Sequence, residues 1–228
     1  WIGVLFLLPA AFFIIVFMLI PLVWNLGLSF FDWNGSSPAQ FNGLENFKTL
    51  LTTKAVTSSI WRSMFIALVA TAVGMILGIL YALLLYRLRQ REQAAFRFVF
   101  FAPAMLPLSV VGILFIFVFS TDSGILNSLL GMIGLENLQQ PWLGDPDLSL
   151  WVIAIVQGWR QSGVIMILTT TAILALPKSL FENGKLEGST YLKDIRYIIL
   201  PLIKPSLNLL LSMMLMSGFK TYDMVYAM

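Results

Sequence analysis

Apolar positions along this chain come in long unbroken runs, not in alternation. Five runs are candidates to cross a bilayer: about 2–30, 60–86, 98–119, 151–176 and 206–219, the last extending further if the chain stays helical. A helix needs about 20 predominantly apolar residues to cross a hydrocarbon core of roughly 30 Å. A membrane barrel would instead show segments of about ten residues with alternating polarity. Lipid offers no partners to free backbone groups, so open strands are excluded as well. The pattern predicts an all-α membrane protein, a polytopic bundle with five spans. Pro9 and Pro21 lie in the first run, and Pro103 and Pro107 in the third. Each removes a backbone hydrogen bond and is expected to bend its helix. Packing geometry is the simpler reading of these prolines; gating is the alternative.

Polar segments between the runs differ in charge. Residues 87–97 carry Arg87, Arg89, Arg91 and Arg97 against one acid, Glu92. Residues 177–205 carry Lys178, Lys185, Lys193, Arg196 and Lys204 against Glu182, Glu187 and Asp194. Residues 121–150 hold four acids and no Lys or Arg, and 32–59 hold only Lys48 and Lys54 as bases. The positive-inside rule puts the two basic segments in the cytoplasm. Nine of the 14 basic residues then lie inside, and five spans place the N-terminus inside and the C-terminus outside. Trp1, Trp24, Trp33, Trp61, Tyr81, Tyr86, Trp142 and Trp151 fall near the predicted interfaces, where amphipathic rings are favoured.

Composition removes several kinds of chemistry. Of 228 residues, 59% are hydrophobic and 11% charged, against about 45–50% and 25% in soluble domains. With no Cys and no His, the chain has no disulfide, no thiolate nucleophile, no imidazole base and no Cys/His metal site. The phosphate-binding motif G-x-x-x-x-G-K-[ST] does not occur: Gly184-Lys185 is followed by Leu186. An intramembrane enzyme would need clustered polar groups within spans, and these are nearly bare. A secondary transporter usually carries buried acids, and no Asp or Glu falls clearly within a span. These absences count against an enzyme and against an ion-coupled transporter.

At 29 residues, the segment 177–205 is long for a plain connection. Ser179 and Glu182 fit a capping box, predicting a short helix. Gly188 interrupts it, and Ser189 or Thr190 is placed to cap a second helix that ends at Pro201. Glu182-Asn183-Gly184-Lys185-Leu186-Glu187-Gly188-Ser189, followed by Ile195, Ile198, Leu200-Pro201 and Pro205, resembles the EAA loop of ABC-importer permeases. Glu182, Gly188, Ile198, Leu200, Pro201 and Pro205 match that pattern; Asn183, Gly184, Glu187, Ser189 and Ile195 depart from it. Phe41-Asn42-Gly43-Leu44-Glu45-Asn46-Phe47 is similar to an outer-loop element of the carbohydrate branch, and 219–228 resembles the maltose-permease first-subunit type.

The resemblance implies the fold of a type I ABC-importer transmembrane domain, with one permease domain over 1–228 and the coupling loop 177–205 inside it. It implies a sixth helix beyond the last residue, and the start at Trp1 suggests missing N-terminal sequence. It implies a multi-pass subunit of the bacterial or archaeal inner membrane that imports a sugar or polyol. The implied partners are a second permease, two ATPase subunits and an extracytoplasmic solute-binding protein. The chain itself is expected to hold no cofactor; ATP and magnesium belong to the ATPase. Coupling would fall to Glu182, Glu187, Gly188, Leu200, Pro201 and Pro205, with Gly188 allowing close approach of two helices and the prolines forming a stiff lever. Two other readings stay open: a related permease for a non-sugar solute such as glycerol phosphate, and an ion-coupled secondary transporter.

For the substrate path, Gln157, Arg160 and Gln161 share one face of the fourth span. Asn208, Ser212 and Ser217 add polar groups that are expected near one stripe of the fifth, and Trp159 and Tyr222 are candidate aromatic platforms. Interhelical bonding, with Arg160 reaching the outer interface, is the competing reading.

Overall fold

The computed structural model describes residues 2–228, so Trp1 lies outside the described residues. Two compact units form, one ending at Trp61 and the other comprising Arg62–Met228. The first holds helix α1 (Ile2–Ile14), a π-helical turn (Ile15–Leu19) and α2 (Ile20–Leu28). Strands β1 (Phe31–Asp32) and β2 (Gln40–Phe41) then pair antiparallel, Phe31 opposite Phe41. Helix α3 (Glu45–Thr52) is tied to this hairpin by Asn46 Nδ2, which donates to the carbonyls of Ser29 at 3.0 Å and Phe31 at 2.9 Å. Gly43 turns the chain into α3 at φ 63°, a left-handed conformation that glycine adopts without strain.

Helix α4 (Lys54–Tyr86) leads through the second unit to α5 (Gln90–Met105), α6 (Leu108–Phe119) and α7 (Ile125–Met132). The central helix is α8 (Pro146–Leu174), whose start is fixed by Asp145. Its carboxylate accepts from the backbone N–H of Asp147 at 2.8 Å and Leu148 at 3.0 Å, with Pro146 in the first turn. Then follow α9 (Lys178–Leu186), α10 (Tyr191–Lys193), a second π-helical turn (Asp194–Ile199), α11 (Leu200–Gly218) and α12 (Tyr222–Ala227).

Lipid gives no hydrophobic drive for helices to associate, so close backbone approach between small residues does this work. Small residues recur every four positions on both main helices: Ala70, Gly74, Gly78 and Ala82 on α4, and Ala154, Gly158 and Ser162 on α8. A Cβ on Gly158 would sit 2.7 Å from the Ala70 carbonyl oxygen, and one on Gly78 would sit 2.6 Å from Ile165 Cβ. On α11, a Cβ on Gly218 would come within 2.6 Å of Ala67 Cα. The main core joins Ala82 and Leu85 of α4, Met166 and Ile173 of α8, and Ile199 and Ile203 at the start of the α11 region.

Among the described residues, four helices are long and apolar enough to cross a membrane: Leu5–Leu28, Lys54–Tyr86, Pro146–Leu174 and Tyr191–Gly218. A bent pair, counted as one span, brings the number to five, and it lies where the prolines of the third run predict a bend, though the bend is far sharper than a kink. Arg91–Met105 and Leu108–Phe119 meet at 98°. Pro107 drives the residue before it out of the α region, and Leu106 is extended at φ −76°, ψ 140°. The fifth span also differs. Its helix starts at Tyr191, and Pro201 does not end it. The π-helical turn explains why: the Leu200 N–H bonds the Ile195 carbonyl, five residues back. The widened turn accommodates the carbonyl that a proline leaves without a donor. The same device precedes Pro21, where the Ile20 N–H bonds the Ile15 carbonyl.

Candidate functional site

Two regions bear on function. The first is the segment from Lys178 to Ile199. Pro177, not Ser179, occupies the cap position of α9, so the predicted capping box does not form and Ser179 lies within the first turn. Past the other end, Gly188 has φ 74°. The Gly188 N–H donates to the Lys185 carbonyl at 3.1 Å and the Ser189 N–H to the Gly184 carbonyl at 2.8 Å. These two bonds make a Schellman motif, which favours glycine at this position because of its backbone angle. A Cβ on Gly188 would meet nothing within 4 Å. The expectation that Gly188 allows two helices to approach is therefore corrected. That role falls to Gly184, whose Cβ would lie 3.3 Å from Ile198 Cδ1 and 3.5 Å from Ser189 Cβ.

Thr190 caps α10 without a side-chain bond, while the Ser189 hydroxyl bonds Asp194 Oδ1 at 2.5 Å. Glu182, Glu187 and Gly188 are exposed, as are Pro201 and Pro205; Leu200 is half-buried.

The second region is the polar face of α8. Gln157 is 1% exposed and Gln161 4%. Gln161 Nε2 donates to Ser217 Oγ of α11 at 3.0 Å. The amide oxygens of both glutamines are buried without a partner among the described residues, as are the hydroxyls of Thr71 and Thr169. Half-buried Arg160 donates from Nε to the Leu106 carbonyl at 3.3 Å. That carbonyl lies at the 98° break, where no backbone N–H of the described residues bonds it. Trp159 packs edge-on against Phe115, with centroids 5.5 Å apart.

Asn208, Ser212 and Ser217 do not share a stripe, which corrects that expectation. Asn208 and Ser212 are exposed, and the Ser212 hydroxyl folds back onto the Asn208 carbonyl at 3.1 Å. Nine residues at about 100° each amount to about two and a half turns, so Ser217 lies on the opposite face from Asn208. Tyr222 is 73% exposed and stacks on Tyr226 at 5.9 Å. It borders a cleft of about 300 Å³ lined also by Ser63, Ile66, Gly218, Thr221 and Val225.

Residues 74–228 match the family of binding-protein-dependent transport system inner membrane components. This chain belongs to that family. The permease is 30% identical over 227 residues to a probable ABC transporter permease of Pyrococcus horikoshii, covering 99% of this chain and 77% of that one. It is 27% identical over 228 residues to the sulfoquinovosyl glycerol transport system permease of Agrobacterium fabrum, covering 99% of this chain and 73% of the relative. A bacterial ABC transporter involved in import of the acidic polysaccharide alginate has the same fold. Its TM-score is 0.80 at 23% identity, covering 98% of this chain and 80% of that one.

The permease is thus an inner-membrane transport subunit with the type I importer fold, working with a binding protein. Sequence reasoning missed Thr71 and Thr169 as buried polar groups. The run Thr169-Thr170-Thr171 within an apolar span was the visible signal. It also missed Tyr191, whose hydroxyl donates to the Leu83 carbonyl of α4; one tyrosine at a helix start gives no such signal.

Proposed function

We propose that the permease is the membrane subunit of an ATP-driven importer for a sugar or polyol, paired with a second permease and two ATPase subunits. The observation that carries this is the exposed helix–glycine–helix segment from Lys178 to Ile199, between the fourth and fifth spans and closed by the Gly188 Schellman bonds. It suits insertion into a cleft on a separate protein, with Glu182 and Glu187 exposed for basic partners. Leu200, Pro201 and Pro205 carry movement from there into α11, which continues from the segment without a break. Basic residues place this segment, and the N-terminus with it, in the cytoplasm. ATP and magnesium then bind the ATPase, and this chain holds neither.

Sugar is favoured by relatives whose names give sulfoquinovosyl glycerol, starch degradation products and glucose as cargo. The substrate path runs past Gln157, Trp159, Arg160, Gln161, Asn208, Ser212 and Tyr222. The stacked Tyr222–Tyr226 pair beside its cleft offers the kind of apolar face a sugar ring stacks on. The permease purified from its native membrane should carry a P-loop ATPase with it. In Gly188→Trp the protein should insert normally, while stimulation of ATP hydrolysis by loaded binding protein is lost. Unchanged stimulation would refute the role of the loop.

A further inference from the structure

The last four carbonyls of an α-helix have no partner within it. At the end of α4 two of them are taken up by side chains from other elements. The Leu83 carbonyl accepts the Tyr191 hydroxyl from the start of α10, and the Tyr86 carbonyl accepts Gln93 Nε2–H of α5 at 3.3 Å. The Arg87 guanidinium, one residue past the helix, lies 4.3 Å from the centre of the Tyr191 ring. A cation there faces the ring and also sits at the negative end of the helix dipole. On the far side of Gly188, Phe181 of α9 packs against the Tyr86 ring with centroids 5.8 Å apart. Both halves of the 178–199 segment therefore hold the same helix end. Leu85 beneath them belongs to the core that contains Ile199 and Ile203.

We propose that Tyr191 and Arg87 are positioning residues that deliver movement of this segment to α4, so that one cytoplasmic loop drives two spans. The inference rests on the coupling reading above. Movement reaches α11 along the chain. It reaches α4 across space, through one hydroxyl, one guanidinium and one aromatic contact. A hydrogen bond to a helix-end carbonyl is directional, so it transmits pulling as well as pushing.

The test uses the full transporter, with Cys-free partner subunits, in liposomes. The permease has no Cys, so spin labels report only from introduced sites. One pair, Leu84→Cys with Ile155→Cys, reports α4 against α8; a second, Leu209→Cys with Ile155→Cys, reports α11 against α8. All three positions are exposed. Distances are compared without nucleotide and after trapping with ATP and vanadate. In the parent protein both distances should shift. In Tyr191→Phe, which keeps the ring, and separately in Arg87→Gln, the α4 shift should fall below half. The α11 shift and the amount of ATPase retained should stay as in the parent. An α4 shift of parental size in both variants overturns the proposal, as does a parent in which α11 moves and α4 does not. If neither pair moves in the parent, the coupling reading fails and the proposal falls with it.

Discussion

Helix α8 and the 178–199 segment both carry polar side chains, yet they use them in opposite ways. On α8, Gln161 bonds Ser217, Arg160 bonds the Leu106 carbonyl, and Gln157 is sealed between helices. In the segment, Glu182, Lys185 and Glu187 face outward, and its structure rests on Gly188 and a few tethers. Polar groups at depth in lipid must find partners inside the bundle. Outside it, water satisfies them, and they stay available to another protein. A polar residue in a span therefore marks an internal fastening before it marks a binding site.

The largest effect that would test this contrast is expected from Gly158→Leu. The added side chain meets the Ala70 carbonyl and Val73 at under 3 Å. Overpacking of that kind should cost about 3 kcal/mol or more, read as a lower melting temperature in detergent. Arg160→Met comes next. It strips the Leu106 carbonyl at the broken span, at a cost of about 1–3 kcal/mol. Unfolding should show this loss even when no solute is present; a variant with normal melting and impaired uptake would show that Arg160 serves the substrate path and not the fastening of the broken span. Gly188→Ala should cost about 1–2 kcal/mol of local strain from its left-handed backbone, with global melting little changed. Proteolysis of the segment should be faster and ATPase retention weaker. The smallest effect is expected from Gln161→Leu, within about 1 kcal/mol. The lost bond to Ser217 is offset by removing an amide oxygen that has no partner.

The spans were legible because each is a long apolar run, and a bilayer demands that length. Gly188 was legible as a helix break, although its reason is the backbone angle and not space. The start of the fifth span was misjudged by 15 residues, since Pro201 reads as a stop until the π-helical turn before it is known. Ser179 looked like a cap because it sits three residues before Glu182, but Pro177 holds that place. Tyr191 and Arg87 were invisible as a pair. They are 104 residues apart in the chain, and neither stands in a motif.

From the order of its residues alone, this protein was committed to lipid, to helices and to a family. The first two depend on hydrophobic length, which adds up along the chain, and the third on residues whose spacing is fixed along it. Tertiary structure decided which polar side chain answers which stranded carbonyl: Arg160 at Leu106, Tyr191 at Leu83, Gln93 at Tyr86. Such partners are set by how helices pack across small residues, and packing brings together positions that no local pattern links.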